Sequence, residues 1–375
     1  MYGNSMSSFK GFGLLPTILT TLKKERLKIP TDIQQEALPR MLRGESVVGI
    51  AETGSGKTLA YALPILHALK QLELNGDAVS EPGCPRAVVI VPTSDLGEQV
   101  AKVLKLFTHD TRVRVRSVLG GNAKAIARRN VSGPFEILLA TPGRLEQLMD
   151  LRVLSLSDMR ILVIDEADLL LDAGFLPTVK RVSRTASKDC QMGLFSATAS
   201  NQVQDLIKTL FRDAHVIETK GRHRVVSTLK TDNRTVVDGK RFPVLKTVLA
   251  EQVDGGTLLF VNTRAQCDKL AELLDFEGYR MSIYRGDMDK KERRANLQRF
   301  RDGSVELLIC TDMAARGLDV EHVDRVINYH MPKEMANYLH RVGRTARAGR
   351  KGTVVNLVTE RDQRLVERLD SVQSR

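Results

Sequence analysis

Tryptophan is absent from the 375 residues, and aromatic side chains make up only 5% of them. That scarcity excludes a binding surface built mainly from rows of stacked aromatic rings. Cysteine is sparse too. Cys84, Cys190, Cys267 and Cys310 lie far apart and share no paired ligand spacing, which excludes a zinc module and a disulfide framework and fits a reducing compartment. No apolar run approaches the roughly 20 residues that a membrane span requires. The opening residues MYGNSMSS are too polar for a signal peptide. A soluble chain is expected, with the cytoplasm as the default location and a nucleus or organelle left open. Short repeats and low-complexity tails are also missing, and nothing in the sequence demands more than a monomer.

What is present is a hydrophobic content of 42% and a length that suits two cored domains, at roughly 100–200 residues each. Lysine and arginine total 57 against 45 acidic residues, and the net charge of +12 favours an anionic partner. Short runs rich in β-branched residues recur at 47–50, 87–91, 137–140, 161–164 and 193–195, separated by helical patterns such as 59–72 and 95–107. In the first of these helices Leu59, Leu63, Leu66 and Leu69 form an apolar stripe. Strands alternating with helices imply a parallel sheet covered on both faces. A basic, polar stretch at 220–240, expected to hold the linker and the entry strand of a second domain, interrupts the pattern, which restarts with strands at 257–261, 307–310, 326–329 and 354–358 and helices at 264–277, 290–300 and 361–369. The fold class is therefore α/β, with two parallel sheets in tandem. The expected division is a tail at 1–8, a first domain at 9–219, a linker at 220–230 and a second domain at 231–375.

Directly after the first strand comes AETGSGKT, residues 51–58, followed by a long helix. This strand, loop and helix order is what a phosphate loop needs. Gly54 and Gly56 let the backbone N–H groups of a loop that also holds Thr53 and Ser55, further nucleotide-binding candidates, approach phosphate oxygens at a helix N-terminus. Lys57 is expected to reach the β and γ phosphates, and Thr58 to offer its hydroxyl to Mg²⁺. Ala51 stands where the general pattern has a glycine. At the end of the strand 161–164 sit Asp165, Glu166 and Asp168, interrupted by Ala167, three carboxylates at the sheet edge where α/β ligands bind. Asp165 suits the metal, and Glu166 suits orientation and deprotonation of an attacking water.

With these motifs in order, the sequence resembles the DEAD-box RNA helicases of helicase superfamily 2 over about residues 9–369. The resemblance implies two tandem RecA-like domains, each a parallel β-sheet flanked by helices, joined by a short linker. It implies ATP and Mg²⁺ as the ligands and an RNA-stimulated ATPase coupled to local, non-processive duplex unwinding. Pro30-Thr31-Asp32-Ile33-Gln34 resembles the adenine-reading block, in which Gln34 bonds the base, and Phe9, 25 residues before it, matches the adenine-stacking phenylalanine. Arg26-Leu27 replaces the usual Gly-Phe ahead of that block. Ser196 and Thr198 match the motif that links hydrolysis to duplex opening through the DEAD carboxylates. TDMAARGLD at 311–319 and HRVGRTAR at 340–347 match the motifs that complete the site from the second domain. There Asp319 contacts the ribose, His340 bridges the domains, and Arg344 and Arg347 act as arginine fingers, a device worth about 10³–10⁵ in rate.

The same resemblance assigns RNA contacts to Pro92, Gly121, Thr141, Gly143 and Arg144 in the first domain and to Arg264, Arg293 and Thr311 in the second. Such residues hold phosphate and sugar without reading bases, so binding is expected to be sequence-tolerant and sensitive to salt and to the 2′-OH. Two departures stand out. PTRELA becomes PTSDLG, with Ser94 in place of arginine, and Lys290 replaces the glutamine of the second-domain QxxR. An ATP-regulated RNA clamp and a DNA helicase of the same superfamily are the competing readings. Strand release from a short duplex separates the first from a helicase, and ATPase stimulation by RNA against DNA separates the second.

Overall fold

The computed structural model describes residues 8–78, 81–120, 128–211, 213–219, 229–315, 318, 320, 322–332, 334–346 and 351–373. The chain divides into two compact units, Met1–Gly221 and Arg222–Arg375. The first unit opens with a 3₁₀ turn, Phe9–Phe12, and helices α1 (Pro16–Lys24) and α2 (Asp32–Leu42). There follow β1 (Val47–Ile50), α3 (Lys57–Leu74), β2 (Ala87–Ile90), α4 (Ser94–Thr111), β3 (Val115–Val118) and β4 (Ile137–Ala140). The unit continues through α5 (Pro142–Asp150), β5 (Ile161–Ile164), α6 (Ala167–Asp172), α7 (Leu176–Thr185), β6 (Gln191–Ser196), α8 (Asn201–Leu210) and β7 (His215–Glu218). Among the described residues its seven strands lie in the order β3-β4-β2-β5-β6-β1-β7, all pairs parallel.

Alternation along each strand builds a core on both faces. Val47, Val89 and Val163 point to the side where Ile18, Ile33, Leu63, Leu104 and Phe107 of α1 to α4 pack. Val48, Val88 and Leu162 point the other way, onto Leu145, Leu148, Val179 and Val203 of α5, α7 and α8.

The second unit repeats the plan with β8 (Leu229–Thr235), α9 (Arg241–Ala250), β9 (Gly256–Val261), α10 (Arg264–Phe276), β10 (Met281–Tyr284) and α11 (Lys290–Arg301). Then come β11 (Leu307–Thr311), the short α12 (Asp312–Ala315), β12 (Val323–Asn328), α13 (Met335–Val342), β13 (Gly352–Val358) and α14 (Gln363–Gln373). Among the described residues its six strands are parallel in the order β10-β11-β9-β12-β13-β8. Leu229 and Lys230, placed in the linker on sequence, instead open β8. Both pair with β13, and Leu229 packs partly buried against the core beneath α13 and α14. Among the described residues no helix is long and apolar enough to cross a membrane.

Candidate functional site

In the first unit the loop between β1 and α3 is shaped by two glycines, Gly54 at φ +84° and Gly56 at φ +90°. Both lie in the left-handed region, which only glycine enters at little cost. Gly56 also has no room for a side chain, since a Cβ there would stand 2.4 Å from Gln34 Nε2. Gln34 is buried and spans two jobs. Its Oε1 accepts from the Thr31 backbone at 3.0 Å, closing the capping box of α2, and its Nε2 donates to the Gly56 carbonyl at 3.0 Å. The expected adenine-reading glutamine thus braces the phosphate loop. Phe9 lies in the core beside Phe12, 4% exposed, with ring centroids 6.3 Å apart.

Lys57, the first residue of α3, is buried and turns back into the loop, donating to the Ala51 carbonyl at 2.8 Å and the Glu52 carbonyl at 3.3 Å. Its Nζ stands 3.4 Å from Glu166 Oε1. Next to this pair, Asp165 accepts from the Tyr61 hydroxyl at 2.8 Å through Oδ2 and from the Glu166 backbone at 3.0 Å through Oδ1. Burial, then the Glu166 charge, push the Asp165 carboxyl up to about 7, while the Lys57 cation and the Tyr61 hydrogen bond oppose the shift. Glu166 sits at φ +49°, in a left-handed conformation uncommon for a residue with a side chain. Strain of this kind gathers at working sites.

Among the described residues, two buried oxygens here, Ser55 Oγ and Glu166 Oε2, have no hydrogen-bond partner. Buried polar atoms are rarely left so. The set fits a nucleotide with a divalent cation: glycine-turned backbone for phosphate, a lysine, the Thr58 hydroxyl, and a carboxylate for a metal that takes most of its ligands from phosphate and water. Beyond them, Asp168 Oδ2 accepts from the Thr198 backbone at 3.1 Å and its hydroxyl at 2.9 Å, and Ser196 Oγ accepts from the Asp168 backbone at 3.3 Å.

Strand order sorts the remaining candidates. Pro92 follows β2, Gly120 follows β3, and Thr141, Gly143 and Arg144 follow β4. These three strands are neighbours, so the loops share one stretch of the C-terminal sheet edge, while β5, β6 and β1 carry the nucleotide candidates along the rest. Arg144 donates to Gln147 Oε1 at 2.6 Å from the first turn of α5, which Thr141 precedes as N-cap.

The second unit is sorted in the same way. Arg264 opens α10 after β9, with Nε 3.7 Å from Asp287, and Thr311 ends β11. Arg293, on α11 after β10, lies 5.7 Å from the Tyr284 ring centroid. His340 and Arg344 belong to α13 and the turn after it, beyond β12, and both are buried. Arg344 donates to the His340 carbonyl at 3.2 Å and to the Leu318 carbonyl at 3.0 Å. Gly121, Asp319 and Arg347 lie outside the described residues.

Residues 31–206 match the DEAD/DEAH box helicase family and residues 240–349 match the helicase conserved C-terminal domain. The chain is 36% identical over 372 residues to DEAD-box ATP-dependent RNA helicase 24 of Oryza sativa subsp. japonica, covering 97% of this chain and 47% of that protein. It is 34% identical over 374 residues to ATP-dependent RNA helicase DBP2 of Saccharomyces cerevisiae, covering 98% of this chain and 67% of that protein. This chain belongs to the DEAD-box RNA helicase family. It spans about half the length of the rice relative. The solved structure of S. cerevisiae Dbp5 bound to RNA and ADP BeF3 superposes with a TM-score of 0.83 at 28% identity, covering 98% of this chain and 93% of that one. Each unit is accordingly a RecA-like α/β domain.

Against the DEAD-box pattern, the PTSDLG departure has a local account. Ser94 Oγ donates to the Gly120 carbonyl at 3.0 Å, tying the start of α4 to the loop after β3. Gly97 lets Leu119 approach so closely that a Cβ would stand 2.4 Å from it. One residue beside the carboxylates escaped the sequence reading, Tyr61, and Arg341 was read only as part of HRVGRTAR, with no role of its own. Tyr61 meets Asp165 across 104 residues of chain, a distance at which spacing carries no signal. The Gly56 geometry yields a direct test. Gly56→Ala is expected to weaken ATP binding by about tenfold or more, since left-handed strain and the lost Gln34 brace cost about 1–3 kcal/mol. Titration with a fluorescent ATP analogue reads this, and unchanged affinity would mean that the loop does not hold the phosphates.

Proposed function

We propose that this chain is an ATP- and Mg²⁺-dependent RNA helicase that binds nucleotide and one RNA strand and opens short duplexes locally, or remodels RNA–protein complexes, without long translocation. The observation that carries the reading is the buried group of Lys57, Tyr61, Asp165 and Glu166 beside a glycine loop, with Glu166 Oε2 unpaired. Its chemistry follows from its donors and acceptors. Lys57 exchanges backbone carbonyls for phosphate oxygens. Thr58 and Asp165 hold the cation, which when bound offsets phosphate charge. Glu166 orients the attacking water and takes its proton, and its own position is fixed from one side by Lys57. Phe9 and Gln34 serve the adenine, and Asp319 the ribose. His340, Arg344 and Arg347 complete the charge stabilisation, with Arg344 exchanging its carbonyl partners for phosphate.

RNA lies along the loops that carry Pro92, Gly121, Thr141, Gly143, Arg144, Arg264, Arg293 and Thr311, held by its backbone. The Dbp5 structure bound to RNA and ADP BeF3 supports the joint occupancy. Thermodynamics then requires reciprocity: if ATP tightens RNA, RNA tightens ATP by the same factor. The protein acts as a monomer in the cytoplasm.

Steady-state ATP hydrolysis with no nucleic acid, with single-stranded RNA and with DNA of equal length tests this. RNA is expected to stimulate strongly and DNA weakly, with ATP-dependent release of a strand from a short RNA duplex. Equal stimulation by DNA would move the assignment to a DNA helicase. Retention on RNA without strand release would make it a clamp, and ATP and RNA affinities that prove independent would remove the coupling altogether.

A further inference from the structure

Three asparagines stand side by side in the second sheet. Asn328 on β12 is in register with Asn356 on β13, and Asn356 with Asn233 on β8. Asparagine is depleted in strands, and the same face otherwise carries Leu258, Phe260, Val326 and Val354. Asn328 and Asn356 are fully buried there, where leucine would fill the space without a polar group to satisfy.

Their hydrogen bonds run in one direction. Arg341 Nη1 donates to Asn328 Oδ1 at 2.8 Å, Asn328 Nδ2 donates to Asn356 Oδ1 at 2.8 Å, and Asn356 Nδ2 donates to Asn233 Oδ1 at 2.7 Å. The Tyr338 hydroxyl lies 3.3 Å from Asn356 Nδ2 and closes the row from α13. At its head, Arg341 clasps both carboxylate oxygens of Asp312 through Nε and Nη2 and reaches Asn262 Oδ1 at 2.8 Å. Asp312 directly follows Thr311, the first residue of the segment 311–319. The row therefore joins an edge strand, near where the chain enters this unit, to the segment assigned to RNA and nucleotide. Local rules are broken at three in-register positions for one connected network, and such departures mark a specified geometry.

We propose that the Asn328–Asn356–Asn233 row is a positioning relay that fixes the Arg341 guanidinium and, through Asp312, the conformation of the Thr311 segment toward RNA. This rests on the proposed helicase function for its RNA readout only. Asn328, Asn356 and Asn233 are positioning residues and touch no substrate. Hydrogen bonds in a chain polarise one another, so breaking the middle link loosens the Arg341 end as well.

The test uses the full chain with Asn356→Leu, which keeps the branching at Cγ, is somewhat larger and removes the middle link, and with Asn233→Ala, which cuts the exposed end and leaves the interior packed. Two readouts are taken: hydrogen exchange of the Arg341 Nε proton by NMR, and the KM for RNA in the ATPase assay. In both variants Arg341 protection is expected to fall, about tenfold in Asn356→Leu. The KM for RNA is expected to rise while kcat at saturating RNA stays near the parent's. A merely structural row would lower the melting temperature and leave the KM for RNA unchanged. Unchanged Arg341 protection in folded Asn356→Leu overturns the relay, and should that variant fail to fold, unchanged protection in Asn233→Ala does so. A parent enzyme not stimulated by RNA overturns the proposed function instead, and the relay then stands or falls on Arg341 protection alone.

Discussion

Glu166→Gln is expected to lower kcat for ATP hydrolysis by about 10²–10⁴-fold while ATP affinity stays within about threefold, the effect of deleting a general base. The geometry separates the two quantities. Glutamine keeps the length and shape of the side chain, so the left-handed turn at Glu166 and the Asp165 contact to its backbone N–H survive. Lys57 keeps its two carbonyl partners, so the loop that holds phosphate is not dismantled. What disappears is the carboxylate whose Oε2 is buried with no donor facing it, and with it the acceptor for a water proton. Single-turnover hydrolysis beside nucleotide titration reads the two numbers. Retention of more than about a tenth of kcat would remove Glu166 as the base and shift attention to substrate-assisted attack.

Arg341→Ala should have its effect on stability, with a loss of about 3–5 kcal/mol, the range for breaking a buried ion pair. Arg341 is 1% exposed and spends its guanidinium on Asp312, Asn328, Asn262 and the His330 carbonyl. Its Cζ also lies 5.0 Å from the Phe260 ring centroid. Alanine leaves a carboxylate and three other acceptors without their cation, and Asp312, partly open to solvent, recovers only part of that through water. Set against a total stability of about 5–15 kcal/mol, the second unit should unfold at markedly lower urea concentration. Arg341→Lys should recover the charge and little of the fork, because an ammonium cannot reach the bidentate geometry. A loss below about 1 kcal/mol in Arg341→Ala would mean that water replaces the guanidinium throughout.

The interior of each sheet was legible in the sequence, and the borders were not. β1, β2, β4, β5, β9 and β11 are buried on both faces and read as continuous apolar runs. β3, β7 and β10 went unread, and β8 was foreseen only as an unplaced strand within 220–240. These four are the edge strands of the two sheets. β7 buries Ile217 alone, and β8 buries no residue fully, so neither carries a run that periodicity can find. The site divides similarly. Lys57, Asp165 and Glu166 could be named as candidates because each stands in a short contiguous motif after a strand, and the structure brings the three together. Tyr61 against Asp165, Ser94 against Gly120 and the asparagine row were not legible, since each joins residues whose proximity exists only after the sheets form.

Sheet order also dictates when the nucleotide loop can come into being. β1, which launches that loop, comes early in the chain but lies between β6 and β7, the last two strands of its unit. The Gln191 side chain must find the Met41 carbonyl across 150 residues, and Met192 must find Ser46 across 146. Loop closure over such separations is slow, and β1 has no partner strand until β6 emerges from the ribosome. The loop between β1 and α3 therefore gains its sheet neighbours only when nearly all of the first unit has been synthesised.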